Sequence, residues 1–427
     1  MSILLKQANL LLPEESHGDV RIEGDRIVEI APTLTPHVSE QVIDLNGSYL
    51  MPGFIDVHVH FRDPGFLEKE SLETGLEAAV RGGYTSVACM PNTKPTADHP
   101  ETISDMVEKA KSLALSRLYP VAAISYGLKG EELTDFAALK AAGAWALSDD
   151  GRGVQNSGMM YQAMKEAAAL EMPILAHCED EGMLEPGGCV HDGNFARKYQ
   201  LTGISSLSES LQVARDIQLA GATGAHYHVC HCSAWESIRA IADGKRHGVH
   251  VTAEVTPHHL LLTDDDIPGL DANYKMNPPL RSSEDREALV HALQTGVLDM
   301  IATDHAPHTV AEKERGMERA PFGIVGLETA FPLLYTYLVK PGYLTLRELV
   351  ERMSTQPAEI FGFAGGRIAP GAVADLTVVN LNETYTIQPS TFASKGRNTP
   401  FTGWKVEGRV THTFVGGRLA WLEEGSR

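Results

Sequence analysis

Two histidines two residues apart in DVHVH (56–60), and an aspartate beside histidines in ATDHAPH (302–308), are the first residues that suggest chemistry. Side chains alternate along a strand, so His58 and His60 would share one face. Two adjacent imidazoles are poor core material, but they offer neutral nitrogen donors to a borderline-soft cation such as Zn²⁺. Asp304 could hold the same cation and also shuttle a proton. Three more ligand types stand in short motifs: Asp150 in SDDG (148–151), His177 in LAHCED (175–180) and His231 in HVCH (228–231). A carboxylate at position 150 could bridge two metals about 3.5–4 Å apart. Asp149 competes for that role, because only one of two adjacent strand residues faces inward, and DDG is also ordinary turn chemistry. His231 is preferred to His226 and His228 as the one nearest the end of its run. Strand alternation puts His228 on the face opposite His231, and turns Cys230 and Cys232 away from it as small buried hydrophobes.

These residues are far apart in sequence, so the elements must bring them together. Eight apolar runs (53–60, 84–92, 118–125, 144–151, 173–180, 226–233, 249–256 and 299–307) alternate with helical patterns. The clearest helix is 101–116, with Ile103, Met106, Val107, Ala110, Leu113 and Ala114 on one face, Asp98 as N-cap and Pro100 in the first turn. Another is 131–142, ending at Gly143. Eight strands alternating with helices over about 250 residues predict an α/β fold, a (β/α)8 TIM barrel. An open doubly wound sheet is disfavoured, since no GxGxxG follows the first run. Nearly every run starts apolar and ends in His, Asp or Asn. In a barrel these ends meet on one face, where active sites are built. Residues 51–361 are assigned to the barrel. Residues 1–50 and 362–427, with hairpin signals at Gly24-Asp25 and Gly416-Gly417, read as two halves of one small β-sandwich domain.

Composition narrows the function classes. The chain has 427 residues, of which 43% are hydrophobic, and a net charge of -20. That much apolar material excludes general disorder. The acidity, with no segregated basic stripe, argues against a nucleic-acid partner. Five cysteines without a CxxC pair point to a reducing compartment rather than a disulfide framework. The first residues do not read as a signal peptide and no apolar run reaches 18 residues, so a cytoplasmic protein with no membrane partner is expected. If the substrate is an anion, positive groups within the site must reverse the overall field.

Taken together, DVHVHFRDPG (56–65), VACMPNTKP (87–95), SDDG, LAHCED, HVCH, EVTPHHLLLTD (254–264), KMNPPLR (275–281), ATDHAPH and APFGIVGLET (320–329) make the chain similar to the bacterial dihydroorotases, metal-dependent amidohydrolases, over nearly its whole length. The resemblance implies reversible cyclisation of N-carbamoyl-L-aspartate to (S)-dihydroorotate with one or two Zn²⁺, two being favoured. It implies that His58 and His60 hold the first ion, that His177 and His231 hold the second, and that Asp150 bridges them. Asp304 would be both a ligand and the catalytic acid/base. His60, Arg62, Asn92, Asn277 and His308 would contact substrate through side chains, and Phe322 and Gly323 through the backbone. Independently of the resemblance, residues 306–324, polar and charged with a glycine, read as a loop over the site mouth that could move. A homodimer and association with aspartate carbamoyltransferase are further implications. Many hydantoinase-like relatives, and some dihydroorotases, bridge their metals with a carboxylated lysine at the end of strand four. Here that end reads Ser148-Asp149-Asp150, and Lys140 and Lys165 fall in flanking helical segments, which favours the aspartate-bridged subgroup. The competing readings are another cyclic amidohydrolase (hydantoinase, dihydropyrimidinase or allantoinase) and a non-catalytic scaffold paralogue.

Overall fold

The computed structural model describes residues 2–11 and 15–423. Eight parallel strands form the central sheet: β1 (Phe54–Val59), β2 (Tyr84–Cys89), β3 (Arg117–Ala122), β4 (Ala146–Leu147), β5 (Ile174–Ala176), β6 (Tyr227–Val229), β7 (Val251–Val255) and β8 (Met300–Ile301). They hydrogen-bond in chain order. A parallel bridge from Val59 to His305, with the His60 N–H donating to the His305 carbonyl at 2.8 Å, brings the last strand back to the first. The Asp56 carboxylate reinforces this seam by accepting from the His58 and Thr303 N–H groups. Its burial pushes its pKa up to about 7. The result is a nearly closed barrel. Its interior is filled: Ala88, Val121, Ala146, Leu175 and Cys230 pack together, and Tyr119, Trp145, Phe361 and Phe363 plug the end where the strands begin.

Local chemistry sets the helix ends. Leu72–Arg81 starts from a Ser71/Thr74 capping box and carries Glu73 in its first turn and Arg81 in its last, matching the helix dipole. The helix expected over 101–116 spans Pro100–Leu113, with Pro100 in the first turn as anticipated. Its N-cap is His99, not Asp98, whose carboxylate instead accepts the Gly127 N–H at 2.8 Å. The helix expected over 131–142 is shorter, Phe136–Ala142, because Asp135 caps it and starts it there; Gly143 ends it with φ 110°.

The two chain ends build one mixed sheet. Its strands run Arg418–Leu422, Lys405–Val415, Leu376–Thr386, Tyr49–Pro52, Ser2–Leu11, Glu15–Glu23 and Arg26–Ala31, and Gln41–Asp44 pairs with Ser2–Leu11. The halves join where Leu376 pairs antiparallel with Pro52. Both hairpins form, turning at Gly24-Asp25 and Gly416-Gly417. All five cysteines are free and buried. Among the described residues no helix is long and apolar enough to cross a membrane.

Candidate metal centre

The six expected ligands meet at the C-terminal mouth of the barrel. His58 and His60 lie at the end of β1; Asp150, His177, His231 and Asp304 lie one to three residues past β4, β5, β6 and β8. His58 Nε2 is 3.4 Å from Asp150 Oδ1 and 3.5 Å from Asp304 Oδ1. His60 Nε2 is 3.0 Å from Asp304 Oδ1 and 3.6 Å from Asp150 Oδ2. His177 Nδ1 is 3.0 Å from His231 Nε2 and 3.8 Å from Asp150 Oδ1. Asp150 therefore touches both histidine pairs. Asp149 points away, accepting from the Ser125 N–H and hydroxyl.

The donor set fits divalent cations. Metal–nitrogen bonds of about 2.0–2.1 Å in a tetrahedron put ligand atoms about 3.3 Å apart, close to most of these separations. Among the described residues His58 Nε2 and Asp150 Oδ1, which face each other in the cluster, are buried with no hydrogen-bond partner, an arrangement that costs free energy unless something else meets them. The distal nitrogens of the first pair are held. His58 Nδ1–H donates to Glu254 at 2.7 Å and His60 Nδ1–H to Asn92 Oδ1 at 2.8 Å, each leaving Nε2 free for a cation. Burial opposes ionisation of Asp150 and Asp304, but the surrounding imidazoles outweigh it and hold both carboxyls well below the usual range. Burial, then His177 and His58, bring His231 down to about 3, so it is a neutral donor.

A cavity of about 200 Å³ opens onto His60, Asp150, His177, His231 and Asp304 and is also lined by Arg62, Asn92, Asn277, His308, Phe322 and Gly323. Arg62 is partly buried, and no carboxylate lies within salt-bridge distance of it among the described residues. Asn92 spends both amide ends on the ligand cluster, since its Nδ2 donates to Asp150 at 3.1 Å. Asn277 Nδ2 donates to Glu179 at 3.1 Å, which turns its oxygen the other way. His308 Nε2–H donates to the Phe322 carbonyl at 2.8 Å, and burial followed by Arg62 and Lys69 lowers its pKa to about 2. Gly323 has φ 130°, and a Cβ there would sit 2.7 Å from the Ala306 methyl. Both its backbone groups are engaged: its N–H meets Lys275, and its carbonyl meets Lys313 and Asn398. Binding substrate through the Gly323 backbone would have to exchange one of these bonds.

One sequence expectation fails. His228 and His231 do not lie on opposite faces, and Cys230 and Cys232 do not share one. His231 has φ 32°, which breaks the strand alternation just after β6. His228 therefore meets Glu254 inside the barrel, and Cys230 lies with His58 and Glu254 while Cys232 packs in the outer core. Sequence reasoning also missed Glu254, Glu179, Lys69, Lys313 and Asn398. Two had a signal: Glu254 is an acid in the apolar run VHVTAEVT, and Glu179 stands two residues past His177.

Comparison with known proteins gives consistent results. Residues 47–237 match the Dihydro-orotase-like family and residues 212–420 match the Amidohydrolase family. The chain is 58% identical over 402 residues to the dihydroorotase of Bacillus caldolyticus, covering 94% of each chain. It is 56% identical over 423 residues to that of Geobacillus sp. (strain WCH70), covering 99% of each. Among solved structures, an L-hydantoinase (dihydropyrimidinase) from Arthrobacter aurescens superposes with TM-score 0.87 at 25% identity, over 98% of this chain and 95% of that one. A D-hydantoinase (dihydropyrimidinase) from Thermus sp. gives 0.83 at 26%, over 98% and 95%.

Proposed function

The chain belongs to the dihydroorotases, a family of metal-dependent amidohydrolases, and from that membership we propose how its residues divide the work of interconverting N-carbamoyl-L-aspartate and (S)-dihydroorotate. The activity is that of a cyclic amide hydrolase. The observation that carries the substrate reading is Arg62, a cation on the wall of the ligand-lined cavity with no carboxylate within 4 Å among the described residues. Its planar fork suits bidentate pairing with the substrate carboxylate. That requirement separates this substrate from hydantoin and dihydrouracil, which carry no carboxylate.

Four imidazoles and two carboxylates suit zinc, with two ions favoured: His58, His60 and Asp304 for one, His177 and His231 for the other, and Asp150 between them. When bound, the metal would supply Lewis acidity toward the ring carbonyl and activate water near neutral pH. Asp304, ionised and facing the cavity, takes the proton of the attacking water. It delivers that proton to the ring nitrogen as the C–N bond breaks. Cyclisation runs these steps in reverse. The Asn277 oxygen, turned away from Glu179, is available to accept from a substrate N–H. Lys69, 3.5 Å from His308 Nδ1, is paired with Glu312 at 2.8 Å, so Arg62 is left as the cation that offsets the overall acidity at the cavity.

The division into a barrel (51–361) and an end domain (1–50 with 362–427) is part of the same proposal, supported by the sheet that joins the two ends. A cytoplasmic homodimer associating with aspartate carbamoyltransferase rests on the family resemblance. The deciding experiment assays metal-quantified protein on dihydroorotate, hydantoin and dihydrouracil. Dihydroorotate should be turned over fastest, and a preference for either uncharged ring would overturn the reading.

A further inference from the structure

Glu254 lies in β7 at the centre of the barrel, with no exposed surface. Its Oε1 accepts two hydrogen bonds, from His58 Nδ1–H at 2.7 Å and from the backbone N–H of His231 at 3.1 Å. Its Oε2 accepts from His228 Nε2–H at 3.0 Å, and His228 Nδ1 in turn accepts from the Thr252 hydroxyl at 2.8 Å. The carboxylate is thus fixed from behind by His228 and Thr252 while one oxygen reaches forward to two proposed ligands. Those ligands belong to opposite halves of the cluster. At His58 the bond selects the ring tautomer that bares Nε2. At His231 it holds the N–H of a residue in the left-handed region (φ 32°), a conformation unfavourable for histidine and the one that aims its ring at the cluster.

We propose that Glu254 is a positioning residue that couples the two halves of the metal centre, setting the His58 tautomer and the His231 backbone through one oxygen. The inference rests on the metal reading above. It makes a geometric demand: the oxygen must reach both donors. Glutamine keeps that reach and loses the charge. Aspartate keeps the charge and falls short by one carbon–carbon bond, about 1.5 Å.

The test titrates zinc against a competing chelator in the wild-type chain and in E254Q, E254D and E254L, with circular dichroism to confirm the fold and steady-state kinetics alongside. E254Q should bind within a few-fold of wild type. E254D and E254L should bind both ions about 10- to 100-fold more weakly, together, with KM little changed and kcat following metal occupancy. The coupling is overturned if E254D binds like wild type, if only one of the two ions weakens, or if E254Q is as weak as E254L. Should E254L fail to fold, E254D against E254Q still decides the matter. A wild-type chain that takes up no zinc overturns the metal reading itself, and the coupling with it.

Discussion

Asn92 Oδ1 accepts the Nδ1 proton of His60 at 2.8 Å, while the amide nitrogen of the same side chain donates to Asp150 at 3.1 Å. One neutral side chain thereby holds the ring of one proposed ligand and the carboxylate proposed to bridge both ions. Asn92→Ala removes both bonds. It should weaken metal binding about 10- to 100-fold and lower turnover with it, beyond any loss of substrate contact. Chelator competition measures the first effect. An alanine variant that keeps wild-type metal affinity and changes only KM would return Asn92 to a purely substrate-binding role.

Arg62 faces the cavity and, among the described residues, has no carboxylate partner; its guanidinium lies 3.4 Å from the Pro307 carbonyl and 3.4 Å from His308 Nε2. Arg62→Met should therefore cost substrate binding more than folding. Losing one partner of a desolvated charge pair costs about 2–5 kcal/mol, which corresponds to a KM rise of at least about thirtyfold. Initial rates over a range of dihydroorotate concentrations test this, and an unchanged KM would remove Arg62 from the carboxylate site.

Asp304 Oδ1 lies 3.0 Å from His60 Nε2 and 3.5 Å from His58 Nε2, so its carboxylate borders the ligands and also lines the cavity. Asp304→Asn keeps an oxygen donor and loses the ability to carry a proton. Metal content should largely survive while turnover falls about 10²- to 10⁴-fold, the usual contribution of a positioned acid/base. Metal analysis paired with kcat separates the two roles. A variant with near wild-type kcat would exclude Asp304 as the proton carrier.

Much of this arrangement could be read before any coordinates, for a physical reason. Barrel strands end on one face, so a polar residue closing an apolar run declares where it will lie. That argument brought His58, His60, Asp150, His177, His231 and Asp304 together across some 250 positions. It failed where the backbone left the strand geometry. The left-handed turn at His231 inverted the expected faces of His228 and Cys230, and no period-two pattern could show that. Residues acting through other residues were also hidden. Asn398, from the C-terminal segment, donates to the Ala306 and Gly323 carbonyls and accepts the His308 N–H. Nothing in the sequence around it points to the barrel mouth, because the contact depends on how the chain ends fold back.

Lys313 shows the same dependence, and it makes the pH behaviour testable. Its ammonium is buried and donates to three carbonyls, those of Lys275, Pro321 and Gly323, so it ties down the segment that carries Phe322 and Gly323. Burial, then the charge of Lys275, lowers its pKa to about 7, against the pull of Asp271 and Glu312. The unfolded chain, with the ordinary value of 10.5, then holds this proton more tightly than the folded chain. Between about pH 7 and 10.5 the unfolded state binds more protons, so this group makes stability rise with pH across that window. Function should move the other way, because the neutral amine has only two protons for three carbonyls. KM for dihydroorotate should climb above pH 7 in the wild type and stay uniformly high in Lys313→Met, whose stability should lack the rise. Denaturation midpoints and KM measured from pH 6 to 10 on both proteins check each half. Parallel pH profiles for the two would show that Lys313 does not titrate in this range.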